Sequence, residues 1–137
     1  MNSSEIAIII KRYSILLDKL LNGGFIRFNS ENFRTELPQQ SGVYLISEDR
    51  GDVFETIYIV QSNNLQNRIY RNHLMGCRRV STLKNKLIKI GKFIDESAVK
   101  KFLHENCMVQ YVIIENESDR DSFEHFAISI LKPKFND

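Results

Sequence analysis

The stretch GVYLISEDRGDVFETIYIV, residues 42–60, predicts the centre of the fold. Both ends of this stretch are rich in β-branched and aromatic side chains, which are typical of strands. The polar segment between the two ends, residues 48–52, contains the aspartates and the glycine that favour a turn. The stretch therefore predicts a β-hairpin that places one tyrosine on each strand, Tyr44 and Tyr58.

Helical patterns surround this hairpin on both sides. Before it, apolar residues recur at helical spacing from Ile6 to Leu21, behind a cap at Ser3 or Ser4. A small sheet with helices packed against it defines an α+β domain. After the hairpin, the sequence predicts three helices, which begin at Asn63 or Asn64, at Ser81 and at Asp95. A third strand at Met108–Glu115 and a last helix from Asn116 or Ser118 follow.

The composition is that of one globular domain. A chain of 137 residues suits a single domain, and contents of 42% hydrophobic and 26% charged residues exclude wholesale disorder. Two cysteines are too few for a secreted disulfide scaffold, and no apolar run approaches the roughly 20 residues that span a bilayer. The apolar run at residues 6–10 precedes its basic residues, whereas a signal peptide has the opposite order. We therefore expect a cytoplasmic protein without a membrane partner.

A basic segment lies in the middle of the chain. Residues 66–103 contain ten Lys or Arg and two Asp or Glu, although the whole chain has a net charge of +2. Clustered cations of this kind bind nucleic acids, because each neutralised phosphate releases counterions. A solvated helical face is the alternative interpretation. The candidate nucleic-acid contacts are Arg71, Arg78, Arg79, Lys84, Lys86 and Lys89.

Five short elements follow one another along the chain. Gly42-Val43-Tyr44 and Tyr58-Ile59-Val60 lie on adjacent predicted strands, and Arg68 lies on the helix that follows. Glu124 lies on the last predicted helix, and the chain continues into Lys-Pro-Lys-Phe-Asn at residues 132–136. In this order the elements closely resemble those of the GIY-YIG nuclease superfamily.

The resemblance covers residues 37–137 and leaves residues 1–36 as an N-terminal helical extension packed on the domain. It implies a small, mainly antiparallel three-stranded sheet flanked by helices, and a metal-dependent endonuclease that hydrolyses phosphodiester bonds in DNA. It also implies Mg²⁺ or Mn²⁺ as the cofactor, since hard ions suit a single carboxylate with water and phosphate oxygens. DNA is favoured over RNA as the partner. A homodimer through the N-terminal helix would supply the two active sites that double-strand cleavage needs.

The resemblance assigns a role to each residue of the site. Tyr44 would help to activate the attacking water, and Tyr58 would hydrogen-bond that water or the phosphate. Arg68 would stabilise the developing phosphate charge through its planar fork. Glu124 would bind the divalent cation, and Asn136 would order the site through its amide. For each of these residues taken alone, a packing or surface role is the alternative.

Two positions depart from the pattern of the family. Val60 stands where the family has glycine, so it either extends the strand by one residue or narrows the site. Asn72 stands four residues after Arg68, where many members carry histidine or tyrosine, and His73 follows at five. On an α-helix, five residues rotate a side chain about 140° away from the first. We therefore expect His73 to reach the site for proton transfer only where the helix ends or tightens, with packing as the alternative.

Three other interpretations stay open. A catalytically degenerate nucleic-acid-binding module would keep the fold and lose turnover, as Val60 allows. A protein–protein interaction module would use the apolar N-terminal helix. Structural zinc would use imidazole and thiolate ligands, whose spacing here lacks the paired cysteines of a zinc knuckle. The residues for such a site are His73, Cys77, His104 and Cys107.

Overall fold

A computed structural model of the protein describes residues 1–76 and 81–136. The strands are β1 (Ile26–Arg27), β2 (Gly42–Asp49), β3 (Phe54–Ser62) and β4 (Cys107–Ile113). The helices are α1 (Ser3–Asn22), α2 (Phe33–Glu36), a π-helix (Asn67–Leu74), α3 (Thr82–Lys89), α4 (Glu96–Asn106) and α5 (Glu117–Leu131). In the described part of the chain, the strands form one antiparallel sheet in the order β1-β4-β2-β3.

The sheet confirms the predicted α+β class and the three predicted strands. The short strand β1 is an addition, because Ile26 and Arg27 pair with Val109 and Met108 of β4. Two residues are too few to show a strand period, so the sequence did not predict this strand. The segment ahead of residue 37 therefore contributes a strand to the sheet, and its helix α1 packs against β4 and α5.

The hairpin register decides which side chains share a face of the sheet. Tyr44 pairs with Val60 and Ile46 pairs with Tyr58, so these four side chains point to the same side. On that side they pack into a core with the π-helix, α3 and α4. The opposite side of the sheet packs against α1 and α5. Both tyrosines of the hairpin therefore face the π-helix and α3.

Gly42, the glycine of the first motif, allows β2 and β4 to approach each other closely. A Cβ atom at this position would lie 2.2 Å from the carbonyl oxygen of Val112 and 3.2 Å from Cδ1 of Leu65. A carbon atom cannot stay 2.2 Å from a backbone oxygen, so any larger residue would push the strands apart. The glycine is therefore required by strand packing.

The predicted starts of three helices agree with the structure. The side chains of Ser81, Asp95 and Asn116 accept backbone N–H groups in the first turns of α3, α4 and α5. At α1 the cap is Asn2, in a capping box with Glu5, rather than one of the two serines that follow. No helix in the described ranges is long and apolar enough to cross a membrane.

Candidate active site

The π-helix turns His73 toward the hairpin. The backbone N–H of Met75 donates to the carbonyl of Tyr70, five residues earlier, at 3.0 Å. This wider turn rotates successive side chains by less than the about 100° of an α-helix, so His73 falls back toward Arg68. Nε2 of His73 lies 2.5 Å from the hydroxyl oxygen of Tyr44. His73 therefore reaches the hydroxyl of Tyr44. The helix ends at Leu74, which is one of the two expected conditions, and it widens where tightening was the other.

Tyr44, His73 and Ser81 form a buried chain of hydrogen bonds. Nδ1 of His73 lies 2.7 Å from Oγ of Ser81, and this Oγ also accepts the backbone N–H of Lys84 at 3.1 Å. Burial, with the charges of Arg68 and Lys84, lowers the pKa of His73 to about 3. The ring is therefore neutral near pH 7, with one nitrogen that donates and one that accepts.

The phenol of Tyr44 is protonated in this environment. Burial and the neighbouring Tyr58 raise the pKa of Tyr44 above its ordinary value, and the charge of Arg68 opposes this shift. A protonated phenol can donate to Nε2 of His73, which leaves the hydrogen on Nδ1 to be donated to Ser81. The hydroxyl of Tyr44 thus has a neutral hydrogen-bond acceptor in direct contact with it.

Thr82 joins the second tyrosine to the arginine. Its Oγ1 accepts from Nη2 of Arg68 at 3.1 Å and is also hydrogen-bonded to the hydroxyl of Tyr58. Nε of Arg68 is buried and has no hydrogen-bond partner among the described residues. Arg68 borders two cavities, of about 310 and 320 Å³. Thr82 therefore holds the guanidinium at Nη2, and the phenols of Tyr44 and Tyr58 are further hydrogen-bonding neighbours of it. The group lies beside open space that a phosphate can enter.

Val60 lines the smaller of these two cavities. The same cavity is lined by Tyr58, Arg68 and Thr82, and its volume is about 310 Å³. The valine side chain points to the same side of the sheet as Tyr44, its partner in the hairpin. It therefore occupies space beside the arginine that glycine would leave empty. Since β3 continues to residue 62, Val60 is also an interior residue of the strand.

The outer edge of β3 holds Glu124 and Asn136. Asn136 accepts from the N–H of Ile59 at 2.8 Å and donates to the carbonyl of Ile59 at 2.7 Å. Oε2 of Glu124 accepts the backbone N–H of Gln61 at 2.7 Å. Residues two apart along a strand are separated by about 7 Å, so the amide and the carboxylate are neighbours on this edge. Burial and the phenol of Tyr58 are the larger causes of the raised pKa of Tyr44, and the charge of Glu124 adds to them.

The donor atoms around Glu124 suit a hard divalent cation. Ligand atoms of Asp121, Glu124 and His125 all lie within 4.8 Å of one another. The side-chain amide of Gln61 donates to both carboxylates, at 2.8 Å to Asp121 and 3.2 Å to Glu124, which orients them. Glu124 is half-buried, whereas Asp121 and His125 are exposed. Carboxylate oxygens open to water are the surroundings that Mg²⁺ and Mn²⁺ prefer.

Lys84 does not lie on the surface. Its side chain is 2% exposed, and Nζ donates to the carbonyls of Leu74 at 2.9 Å and Gly76 at 2.6 Å. The prediction that Lys84 contacts nucleic acid is therefore wrong. This lysine instead satisfies carbonyl groups at the end of the π-helix, and the charge pattern of the sequence could not distinguish the two roles.

The other basic candidates lie in different surroundings. Arg71 and Lys89 are exposed, and Lys86 is half-buried beside the cavity of about 310 Å³. Arg78 and Arg79 lie outside the described residues. The described cations Arg71, Lys86 and Lys89 are thus on or near the surface and stay candidates for phosphate contacts.

The described residues do not assemble the zinc ligands. Both ring nitrogens of His73 are engaged, with Tyr44 and Ser81. Cys107 is the buried first residue of β4 with a free thiol, and Cys77 lies outside the described residues. Among the described residues, the group with three neighbouring metal ligands is the one that contains Glu124.

Sequence reasoning missed four side chains at the site, one of which is Asp121, whose carboxylate lies beside Glu124. Ser81 was predicted only as a helix cap, yet it also contacts His73. Thr82 and Gln61 were not singled out, because hydroxyl and amide groups occur throughout any surface and neither lies in the recognised motifs. A serine and threonine at a predicted helix start is the one local signal, and it says nothing about which neighbour the hydroxyls meet.

Known proteins share this fold. No family model matches the chain. Two structures of the GIY-YIG N-terminal endonuclease domain of UvrC from Thermotoga maritima, both tyrosine-to-phenylalanine mutants bound to the catalytic divalent cation, match with a TM-score of 0.50 and 21% identity. The matches cover 79% of this chain, and 98% and 99% of those chains. The chain therefore has the fold of a GIY-YIG nuclease domain.

Two relatives found by sequence similarity are both named UvrABC system protein C. UvrABC system protein C of Solibacter usitatus is 30% identical over 103 residues, which are 74% of this chain. UvrABC system protein C of Wolinella succinogenes is 28% identical over 100 residues, which are 73% of this chain. The matched region spans only 13% and 14% of the lengths of these relatives. The similarity thus concerns one part of much longer proteins.

Proposed function

We propose that this chain is a divalent-cation-dependent endonuclease that hydrolyses phosphodiester bonds in DNA. The observation that carries the proposal is the buried contact between Tyr44 and His73. Arg68 and Glu124 lie close enough to affect this pair, because the charge of Arg68 lowers the pKa of both groups and that of Glu124 raises the pKa of Tyr44, in addition to the larger effect of burial. Together these groups offer a proton acceptor, a cation for the phosphate and a metal ligand, which phosphodiester hydrolysis requires. The similarity to the UvrC endonuclease domain and to UvrABC system protein C supports the same activity on DNA.

Tyr44 and His73 handle the proton of the attacking water. The Tyr44 oxygen accepts a proton from the water while its own proton passes to Nε2 of His73. Ser81 accepts the hydrogen of Nδ1 and so favours the tautomer whose Nε2 is free to accept. Because burial lowers the pKa of His73 to about 3, its charged form is short-lived. Once the bond to phosphorus has formed, the proton passes back through Tyr44 and on to solvent.

Arg68 and Tyr58 receive the phosphate. The guanidinium stabilises the charge that develops on the phosphate oxygens, in a partly buried place where such an interaction is stronger than in water. The Tyr58 hydroxyl, held at Thr82, orients the attacking water or a phosphate oxygen. Asn136 keeps β3 in place beside them through its two hydrogen bonds to the backbone.

Glu124, with Asp121 beside it, would hold Mg²⁺ or Mn²⁺. The two carboxylates and the water-accessible space around them fit these hard ions. When bound, the cation supplies Lewis-acid polarisation of the phosphate and charge stabilisation for the leaving oxygen. Gln61 contributes by holding both carboxylates in one orientation before the ion binds.

The surface cations would bind the DNA backbone. Arg71 and Lys89 are exposed, and Lys86 lies beside the cavity that Arg68 borders. Contacts with phosphates position a duplex without reading its sequence. We therefore assign these three side chains to affinity, and expect binding that weakens steeply as salt rises.

A homodimer or another protein partner is a second proposal, supported by the surface of α1. Ile8 and Ile15 are 69% and 49% exposed and line a groove of about 430 Å³ beside the end of β4. Exposed apolar side chains around a groove are typical of protein interfaces. A homodimer would supply a second active site for double-strand cleavage. We also place the protein in the cytoplasm, with which the buried free thiol of Cys107 is compatible.

The deciding experiment is a cleavage assay with a matched pair of variants. Glu124→Gln removes the proposed cation ligand, and Glu117→Gln changes an exposed glutamate of the same helix. Supercoiled plasmid and labelled single-stranded and branched DNA and RNA are incubated with Mg²⁺, Mn²⁺ or EDTA. We expect wild type and Glu117→Gln to cut DNA in a reaction that EDTA stops, and Glu124→Gln to lose roughly 100-fold or more.

The rival functions give different results in the same experiment. Salt-sensitive binding without cleavage of any substrate would contradict the endonuclease proposal and favour the degenerate binding module. Preferred cleavage of RNA would contradict the choice of DNA. Sedimentation of wild type and of a double variant, Ile8→Glu with Ile15→Glu, tests the dimer, because only a dimer through α1 would dissociate in the variant.

A further inference from the structure

One hydroxyl group connects the two side chains that we propose to receive the phosphate. Oγ1 of Thr82 accepts from Nη2 of Arg68 at 3.1 Å and is hydrogen-bonded to the hydroxyl of Tyr58. Tyr58 belongs to β3 and Arg68 belongs to the π-helix, so neither element by itself sets the distance between them. Thr82 is the first residue of a third element, α3.

The contact with Thr82 contributes to the orientation of Arg68. Nε of Arg68 is buried without a hydrogen-bond partner among the described residues, and Nη2 donates to Thr82. The phenols of Tyr44 and Tyr58 are further hydrogen-bonding neighbours of the guanidinium, and they raise the pKa of Arg68 against the effect of burial. A guanidinium that is already oriented can stabilise the charge that develops in the transition state without first being reorganised. The hydroxyl of Thr82 thus prepares the arginine before any substrate arrives.

The position of Thr82 is itself fixed by neighbouring contacts. Ser81 caps α3 by accepting the backbone N–H of Lys84 at 3.1 Å. The side chain of Lys84 donates to the carbonyls of Leu74 and Gly76, at 2.9 and 2.6 Å, and so ties α3 to the end of the π-helix. The start of α3 is therefore held relative to the helix that carries Arg68.

We propose that Thr82 is a positioning residue, whose hydroxyl holds the Arg68 guanidinium and the Tyr58 phenol in the arrangement that receives the scissile phosphate. The reaction in which it acts rests on the proposed endonuclease function. Because the hydroxyl organises the site in advance, its loss should affect kcat more than KM. Thr82 is exposed, so replacing it leaves the core of the protein intact.

The test compares two variants of the same residue. Thr82→Val keeps the shape of the side chain and removes the hydroxyl, whereas Thr82→Ser keeps the hydroxyl. Thr35→Val, at an exposed threonine of α2, is the matched control. We expect kcat to fall roughly 10- to 100-fold in Thr82→Val with KM within about threefold, and the other two variants to stay within about threefold of wild type. Unchanged kcat in Thr82→Val, or an equal loss in Thr82→Ser, would overturn the proposal.

A spectroscopic measurement tests the same contact without cleavage. In ¹⁵N-arginine NMR, with the signals assigned by Arg68→Lys, a held guanidinium shows separate Nη signals because its rotation is slow. We expect separate signals in wild type and Thr82→Ser and a merged signal in Thr82→Val. Identical Arg68 signals in wild type and Thr82→Val would overturn the positioning role. If the signals merge in Thr82→Val as expected but wild type cuts no substrate, the contact with Thr82 is supported and only the endonuclease function is contradicted.

Discussion

The imidazole of His73 contacts the hydroxyl of Tyr44, although His73 stands five residues after Arg68. An α-helix would point the fifth residue about 140° away from the first. The hydrogen bond from Met75 to Tyr70 spans five residues, and the wider turn that it closes returns His73 to the side of Arg68. An α-helix would place a histidine on the side of Arg68 at a spacing of four residues, and the chain has five. The π-helix accommodates this additional residue.

Deletion of Asn72 should convert this π-helix into an α-helix and keep the site. The deletion puts His73 four positions after Arg68, and it puts Met75 four positions after Tyr70, which is the α-helical spacing. We expect His73 still to contact Tyr44, and the free energy of unfolding in urea to stay within about 1 kcal/mol of wild type, because no buried side chain is removed. Cleavage activity should survive.

A deletion in a regular helix is the control for this experiment. Removing exposed Lys101 from α4 rotates buried Phe102 and Leu103 by about 100° relative to Val99. Exposing such side chains should cost about 3 kcal/mol or more. If deleting Asn72 proves as destabilising as deleting Lys101, the π-helix is not a compensated insertion.

The buried imidazole of His73 should make stability fall in acid. Burial, Arg68 and Lys84 lower the pKa of His73 to about 3, whereas in the unfolded chain a histidine has a pKa of about 6.5. Between these values the unfolded state binds one more proton, so its free energy drops as pH falls. The free energy of unfolding should therefore decrease by about 1.4 kcal/mol per pH unit from this group.

Urea unfolding between pH 7 and pH 4 measures this slope by difference. His73→Gln lacks the titrating group, so its stability should depend less on pH than that of wild type. His125→Gln is the matched control, because His125 is exposed and its pKa is raised by a hydrogen bond to the Asp121 carbonyl and by the Asp121 charge. A raised pKa favours the folded state in acid, so removing His125 should not make stability less dependent on pH. Parallel pH profiles for wild type and His73→Gln would contradict a neutral, buried His73.

The hairpin and the helix starts could be predicted because they depend on neighbouring residues. Strand-forming runs around a polar turn, and capping side chains such as Ser81, Asp95 and Asn116, act within a few positions of the chain. The GIY-YIG resemblance used the same local signals in their order along the chain, and the fold confirms it.

The remaining features of the site depend on tertiary packing. The packing of α3 decides whether Lys84 contacts water or the carbonyls at the end of the π-helix. The sequence around Lys84 does not distinguish these two cases. The π-helix itself shows no periodicity that differs reliably from that of an α-helix over eight residues. Thr82 meets Tyr58 and Arg68 only after three separate elements come together.

Asn136 should contribute to stability through β3. Asn136→Ala removes both hydrogen bonds to the backbone of Ile59 at the sheet edge, and we expect it to lower the free energy of unfolding by about 1–3 kcal/mol. Asn22→Ala, which removes only an exposed hydrogen bond to Asp18, should cost less than about 0.5 kcal/mol. Equal urea midpoints for the two variants would show that the Asn136 amide does not anchor the strand.

Val60 should limit the space available to the phosphate. Its side chain lines the cavity of about 310 Å³ that Arg68 and Thr82 also border, so the series Val60→Gly, Val60→Ala, wild type and Val60→Ile fills that cavity progressively. We expect KM for DNA to rise along the series while kcat stays within about twofold, because the side chain affects entry and not the reacting groups. The free energy of unfolding should also rise along the series, with Val60→Gly less stable than wild type by about 1–2 kcal/mol.

The two trends in the Val60 series separate a steric effect from a loss of folding. A destabilised protein alone would lower the amount of active enzyme and leave KM unchanged, whereas a wider cavity lowers KM even as stability falls. Val60→Gly and Val60→Ile therefore move KM in opposite directions if the side chain narrows the site. A KM that is the same in all four proteins would mean that the phosphate enters elsewhere, and the second cavity beside Arg68, lined by Asn67 and Asn72, would then be the place to substitute next.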